Sequence, residues 1–336
     1  MVDVFVTGGT GFLGRHLVPT LCRAGYTLRV LTRTPDRHPW LRDLPRVEIV
    51  AGDLRDATLV TQAVQGSRRV IHAAGLFSMW HEAGDFDSTN VRGIENILQA
   101  AQAANVERMV YVSTIAVIGK PMEGRIIDEQ HPISPADPYQ ASKWQAEQVV
   151  LSHIRQGLPA VIVRPGAFYG PMGDYAFNRL FFTDPMRGLI MQMDSGRYIT
   201  FPVYIGDVAQ GIRLAMAQGR IGEIYNICGE CLTHRAAFDI VVKEAGLRWP
   251  RLNIPGVIGL GFSQFLSWFG HLTHREPFYP IGMRSYVFQD WPVSSDKAKR
   301  ELKFQPTSFE EGVRRTIAWY KAGKPDMLPE LICKEE

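Results

Sequence analysis

Tyr139 and Lys143 stand four residues apart in Asp137-Pro138-Tyr139-Gln140-Ala141-Ser142-Lys143, a spacing that puts a phenol and an ammonium on one face of a helix. Asp137 is placed to cap that helix and Pro138 to fill its first position. An ammonium beside a phenol favours the ionised form, so Tyr139 is expected to have a lowered pKa and to pass a proton to or from a substrate oxygen. In isolation such a pair is more often part of an ordinary amphipathic helix. A glycine cradle upstream changes the balance. In Val6-Thr7-Gly8-Gly9-Thr10-Gly11-Phe12-Leu13-Gly14 three glycines stand where an apolar strand turns sharply into a helix. Gly8 permits the tight turn, Gly11 lets backbone amides approach a pyrophosphate, and Gly14 lets the helix pack closely. The phosphates would meet the positive end of that helix.

Val110-Tyr111-Val112-Ser113-Thr114 is a third piece, a β-branched run ending in hydroxyls. In parallel α/β sheets ligands gather at the carboxyl ends of strands, so these hydroxyls are expected beside a cofactor.

The first interval of the glycine motif is one residue longer than the common dinucleotide fingerprint, and this variant resembles the short-chain dehydrogenase/reductase superfamily. The resemblance extends through Ile71-His72-Ala73-Ala74-Gly75, Asn90-Val91-Arg92-Gly93, Arg164-Pro165-Gly166, Tyr204-Ile205-Gly206-Asp207-Val208-Ala209 and Ser295-Asp296-Lys297-Ala298 through Phe304-Gln305-Pro306. Together these are similar to the extended, epimerase/dehydratase branch, and within it to the 3β-hydroxysteroid dehydrogenase and dihydroflavonol reductase group. The resemblance implies catalytic roles for Tyr139, Lys143 and Thr114, which precedes Tyr139 by the 25 residues seen in sugar-nucleotide epimerases, with Ser113 as a stand-in. It implies cofactor contacts from Gly8, Thr10, Gly11, Phe12, Leu13, Gly14, Asp53, Leu54, Ala73, Ala74, Gly75, Pro165 and Gly166, besides Tyr139 and Lys143. The helices at 87–104 and 139–155 resemble the pair that forms a dimer interface in the superfamily, with Trp144 and Leu151 on the shared face.

Departures from the pattern narrow the chemistry. Dehydratases of this branch carry an acidic pair after the hydroxyl residue, whereas Ile115 and Ala116 follow Thr114 here. Ala167 and Thr200 stand where epimerases usually have an Asn and an Arg for the nucleotide diphosphate; Arg197 is the one substitute nearby. The substrate region is apolar instead, with Phe77, Met79, Trp80, Phe168, Phe177, Phe181, Phe182, Met186, Met191 and Met193. Aromatics and methionines make adaptable walls for apolar ligands. At the end of the second strand Thr32 and Arg33 replace the acidic residue that binds the ribose in NAD enzymes, which favours NADP(H), with NAD(H) as the alternative.

These residues need a frame. Strand-like runs near 2–7, 27–32, 46–50, 68–72, 107–113 and 159–164 alternate with helical patterns at 12–24, 87–104 and 138–156, which predicts an α/β doubly wound parallel sheet, the Rossmann arrangement. Residues 1–165 form the dinucleotide-binding domain in this reading and 166–336 mostly a smaller, interleaved substrate lobe, with a strand near 224–228 returning to the sheet. At 336 residues, 46 % hydrophobic and 21 % charged, the chain can bury a sizeable core. A formal net charge of +3 without a concentrated basic run gives no case for nucleic-acid binding. The first strand begins at residue 2 and leaves no room for a signal peptide, which implies a cytoplasmic enzyme. Cys228-Gly229-Glu230-Cys231 has redox or metal spacing, but structural zinc normally needs four ligands, so no metal is expected. His271-Leu272-Thr273-His274 reads as a solvated loop pair.

The most apolar stretch, Ile254 through Gly270, is 17 residues with several glycines and a proline, short of the ~20 apolar residues of a membrane span. A helix is expected there whose Phe262, Phe265 and Phe269 cap the apolar pocket. Burial in the lobe and peripheral contact with a membrane surface are both open to it.

The sum is an NADP(H)-dependent oxidoreductase interconverting a ketone and a secondary alcohol on a hydrophobic small molecule, working as a homodimer. Two rivals stand beside it: a sugar-nucleotide epimerase, and a non-catalytic protein that senses cofactor state, against which the intact Tyr139, Lys143 and Thr114 set argues.

Overall fold

Val- and Ile-rich runs become the parallel strands β1 (Val2–Thr7), β2 (Leu28–Thr32), β3 (Val47–Ala51), β4 (Ser67–His72), β5 (Arg108–Val112) and β6 (Ala160–Pro165), joined by helices α1 (Gly14–Arg23), α2 (Ala57–Val64), α3 (Arg92–Ala103) and α4 (Pro138–Arg155). The computed structural model describes residues 2–78, 80, 83–248, 250–273, 276–277, 281–328 and 331. Beyond β6 the chain runs through β7 (Ala167–Tyr169), β8 (Ile190–Met193), β9 (Pro202–Tyr204), α5 (Ile205–Gln218), β10 (Ile224–Ile227), α6 (His234–Ala245), β11 (Arg251–Ile254), α7 (Gly256–Thr273), α8 (Asp296–Leu302) and α9 (Phe309–Lys321).

The main sheet has the order β10-β6-β5-β4-β1-β2-β3. Successive side chains of a strand point to opposite faces. Val4 and Val6 of β1 accordingly join one buried layer with Leu17, Val30 and Ile212, while Phe5 between them joins the other with Leu31, Ile97 and Tyr111. Helices cover both faces, as a parallel sheet requires. Ile224 of β10 pairs with Ile162 of β6, so the later half of the chain supplies an edge strand. Two small parallel pairs, β7 with β9 and β8 with β11, and an antiparallel pair between residues 199–200 and 232–233 also lie in that half.

Strand order reverses at β1, with β2 and β3 on one side and β4, β5 and β6 on the other. The crevice at the carboxyl ends of β1 and β4 is therefore where a ligand can enter without meeting a crossover helix. The helix expected at 87–104 begins earlier, at Ala83, and passes through a π-helical stretch at Asp87–Val91 before α3. Such wide turns gather at functional sites. Asn90 lies in this one, 2 % exposed. Among the described residues no helix is long and apolar enough to cross a membrane.

Candidate active site

The turn after β1 is closed on its protein side. Gly8 has φ +74°, and a Cβ there would lie 2.5 Å from the Ala74 nitrogen; a Cβ on Gly14 would lie 2.3 Å from the Gly8 carbonyl oxygen. Only glycine fits either place. The Gly11 nitrogen donates to Gly8 O at 3.2 Å, and Arg15 N donates to Gly11 O at 3.0 Å, which starts the helical turn leading into α1. Toward the crevice Gly11 has nothing nearer than Gly8 O at 3.5 Å from its Cβ position. A cradle crowded behind and open in front fits a dinucleotide pyrophosphate.

A cavity of about 350 Å³ runs from this turn across the strand ends. Gly8, Gly11, Phe12 and Leu13 line it from β1, Ala73, Ala74 and Gly75 from β4, Ser113 and Thr114 from β5, and Gly166 and Phe168 from beyond β6. Tyr139 and Lys143 reach it from α4. Thr10 and Gly14 belong to the turn without lining the cavity, and Pro165 ends β6 in register with Ile227. Arg33, Asp53 and Leu54 lie beyond it. Arg33 is exposed just past β2. The Asp53 carboxylate accepts from Arg55 Nε at 3.0 Å and Nη2 at 2.7 Å, which with the nearby Arg33 charge holds its pKa down to about 2. Leu54 packs on the α2/α3 layer.

Asp137 caps α4, its carboxylate accepting from Gln140 N at 2.8 Å, and Pro138 fills the first turn. Tyr139 and Lys143 are thereby held on the cavity side. Lys143 is 5 % exposed, donates to Val112 O at 2.9 Å and lies 4.6 Å over the Tyr111 ring. Burial brings its pKa down to about 8, against the opposing pull of Glu147 one turn on. The expectation that Tyr139 is acidified does not hold. Burial drives its pKa well above the ordinary phenol value, with a hydrogen bond to the Thr114 hydroxyl opposing it. The ammonium is spent on the Val112 carbonyl and the Tyr111 face, and the rings of Phe77 (4.8 Å) and Phe86 (5.9 Å) exclude water from the phenol. In this state the phenol keeps its proton at neutral pH. Thr114 also caps its own turn through Ala116 N, whereas the buried Ser113 Oγ has no partner among the described residues.

The apolar set divides. Phe77, Phe168, Phe177 and Phe181 line the cavity, with Phe177 stacked on Phe181 at 4.2 Å and Phe168 5.6 Å from Phe12. Met191 and Met193 line a smaller neighbouring cavity. Trp80, Phe182 and Met186 line neither, and Phe182 is core at 0 % exposure. Met79 and His274 lie outside the described residues. Phe262 borders the smaller cavity, but Phe265 and Phe269 turn outward at 57 % and 50 % exposure, so they do not cap the pocket. Cys228 and Cys231 each donate a thiol hydrogen bond to a backbone carbonyl, Phe201 O and Val293 O, both at 3.3 Å.

Several contributors escape sequence reasoning. Tyr175, His234 and Tyr286 all line the cavity from the later half of the chain. Asn90 Nδ2 donates to Leu76 O at 3.1 Å and Ser142 Oγ at 3.0 Å, and its Oδ1 accepts from Leu76 N at 2.7 Å, fixing the loop after β4. The signal for it lies in Asn90-Val91-Arg92-Gly93, a stretch whose family resemblance carries no role for the side chain. Arg197 pairs with Asp194 at 3.7 Å and stacks on Tyr198 at 4.8 Å, away from the cavity. Among the described lining residues Lys143 is the one formal cation.

Three buried histidines surround this region. Burial lowers the pKa of His16 and His234 to about 4 and of His72, which hydrogen-bonds Thr7 at 2.8 Å, to about 3. As pH falls below their ordinary value of 6.5 the unfolded chain takes up protons that the folded protein refuses, so stability present above 6.5 is lost on the way down to about 4. A tenfold weaker proton affinity corresponds to about 1.4 kcal/mol, so the three imidazoles together make the loss several kcal/mol. Melting curves across that window should show a steep fall in Tm, shallower in His72→Gln; a flat profile would contradict the neutral buried imidazoles.

The chain matches the NAD dependent epimerase/dehydratase family over residues 4–228. It is 34 % identical over 311 residues to 4-hydroxy-2-methyl-3-oxo-4-farnesyl-3,4-dihydroquinoline-1-oxide ketoreductase of Stigmatella aurantiaca, covering 89 % of this chain and 91 % of that one. It is 30 % identical over 359 residues to 3 beta-hydroxysteroid dehydrogenase type 7 of Mus musculus, covering 94 % and 95 %. A dTDP-glucose 4,6-dehydratase structure from Streptomyces venezuelae, solved with NAD, superposes with a TM-score of 0.79 at 28 % identity over 97 % of this chain and 99 % of that one. The protein belongs to the NAD dependent epimerase/dehydratase family, within the extended short-chain dehydrogenases/reductases, and is an NAD(P)-dependent oxidoreductase.

Proposed function

We propose that the protein uses NADP(H) to interconvert a ketone and a secondary alcohol on a hydrophobic small molecule. One observation carries this reading: the Tyr139 phenol and the Thr114 hydroxyl open onto one cavity whose described lining is rich in aromatic rings and holds Lys143 as its one formal cation. A bound nicotinamide supplies or accepts the hydride. Tyr139 gives its proton to the carbonyl oxygen in reduction and takes it back in oxidation. Thr114 orients that oxygen, with Ser113 beside it. Lys143, its ammonium held by the Val112 carbonyl, anchors the nicotinamide ribose. The Gly8–Gly14 turn holds the pyrophosphate, Ala73, Ala74, Gly75 and Gly166 flank the bound dinucleotide, and Asp53 and Leu54 border the adenine. The named substrate of the Stigmatella relative carries a 3-oxo group and a farnesyl chain, in keeping with an apolar ketone. A nucleotide sugar would bring a diphosphate to a wall that has no second cation among its described residues, and burying it there unpaired is costly.

Arg33 is assigned to the 2′-phosphate of NADP. NADPH should therefore bind more tightly than NADH, and Arg33→Ala should narrow the gap by about 1.5–3 kcal/mol, the worth of a charge-assisted contact. Calorimetric titration of both cofactors tests it; equal affinities in the unmodified protein would return Arg33 to the solvated surface. Two copies pair through α3 and α4 in this reading, with the half-buried Trp144 and Leu151 on the joined face.

A further inference from the structure

Helix α7 contains no Asp, Glu, Lys or Arg. Its outward side is apolar: Val257 is 85 % exposed, Phe265 57 %, Trp268 62 % and Leu272 68 %, at the three- and four-residue intervals of one helical face. A soluble surface seldom leaves so continuous an apolar patch uncovered. Ile258 and Phe262, themselves 63 % and 55 % exposed, also border a cavity of about 170 Å³ that Met191 and Met193 line. This smaller cavity and the catalytic one share four wall residues, Leu180, His234, Met283 and Val287. The two cavities thus adjoin across a shared wall, the smaller lying between the exposed helix and the cavity that Tyr139 lines.

We propose that α7 lies in the plane of an anionic lipid surface and that lipophilic substrate passes from the bilayer through the smaller cavity to the catalytic site. Charge selects this occupant. The segment 246–287, which holds α7, carries Arg248, Arg251, Arg275 and Arg284 against a single acid, Glu276. Arg248 and Arg284 are exposed, while Arg251 pairs with Asp239. Anionic headgroups neutralise such an excess of cations flanking the helix in sequence, whereas a second copy brings the same excess with it. Too short and too interrupted to span, α7 can still bury its apolar side ~5–10 Å into the headgroup boundary. The substrate route rests on the oxidoreductase reading above; the lipid contact does not.

The test is flotation of the full-length protein with vesicles of phosphatidylcholine alone or mixed equally with phosphatidylglycerol. The protein should float with the mixed vesicles, less at high salt, and little with phosphatidylcholine alone. Trp268→Glu/Leu272→Glu should weaken vesicle binding by at least roughly tenfold, because two side chains lose their apolar burial, while Tm and turnover of a short water-soluble ketone stay unchanged. Turnover of a steroid ketone presented in the mixed vesicles should drop with binding. Wild-type protein that stays at the bottom of the gradient, or a double variant that floats equally, overturns the lipid contact. So does a double variant that merely changes a self-associated species to a smaller one. If the variant floats less but turns over the vesicle-borne ketone as fast as wild type, the route is overturned. Absence of turnover on every ketone strikes the oxidoreductase reading, and flotation still decides the docking.

Discussion

Tyr139→Phe is expected to lower turnover by ~10²–10⁴-fold, the usual contribution of a positioned general acid, while NADPH affinity stays close to that of the unmodified enzyme. The substitution removes one oxygen. The ring keeps its contacts with Phe77 and Phe86, and the Gly8–Gly14 cradle lies on another strand, so neither packing nor cofactor binding depends on the phenol. Burial already keeps the phenol protonated at neutral pH. In the proposed reaction Tyr139 therefore stands ready as the proton donor, and reduction needs no prior titration. Single-turnover rates with saturating NADPH, set beside cofactor titration, make the comparison; near-normal turnover would show that Tyr139 is not the acid.

Glu147→Ala is expected to cost ~3–5 kcal/mol of stability, the penalty for leaving a buried charge alone. Arg164 and Glu147 are 1 % and 0 % exposed and form a two-pronged pair, Nε to Oε1 at 2.9 Å and Nη2 to Oε2 at 2.6 Å. Arg164 Nη1 has no hydrogen-bond partner among the described residues, so the guanidinium has no second acceptor to fall back on. Glu147 also supports the charge on Lys143. Its removal should push the Lys143 pKa further below about 8, and kcat/KM for reduction should then fall at lower pH than in wild type. Urea unfolding together with a pH profile reads both effects. The apolar pair Glu147→Leu/Arg164→Met should recover most of the stability but not the profile, and an undestabilised Glu147→Ala would contradict the buried pairing.

The frame is legible because its signals are local. β1, the Gly8 turn and the start of α1 form one contiguous stretch, and Asp137-Pro138 announces α4 within two residues. The two strand-end hydroxyls can be placed for the same reason, since β5 is a clear β-branched run. Signals from the later half cannot be read this way. His234, Tyr175 and Tyr286 reach the cavity through long-range packing, with no periodicity that relates them to β1 or α4. The π-helical stretch at Asp87–Val91 shifts Asn90 by a single residue's worth of turn, which no 3.6-residue pattern reveals. The direction of the Tyr139 pKa is hidden for a different reason: spacing shows a neighbouring ammonium but not the rings of Phe77 and Phe86, nor the Val112 carbonyl that takes the ammonium. Phe265 and Phe269 are expected in the pocket because apolar side chains are normally buried; their outward rotation on α7 is a tertiary fact.

The central claim is net hydride transfer between NADP(H) and an apolar ketone with Tyr139 as proton donor. The direct measurement gives the purified protein NADPH deuterated at the transferring position and a panel of steroid, flavonoid-like and 3-oxo acyl ketones, then locates the label by mass spectrometry. NADPH should be consumed and deuterium should appear on the new carbinol carbon, in wild type and not at comparable rate in Tyr139→Phe. Cofactor that stays bound without net oxidation, together with epimerisation of a nucleotide sugar, would contradict it.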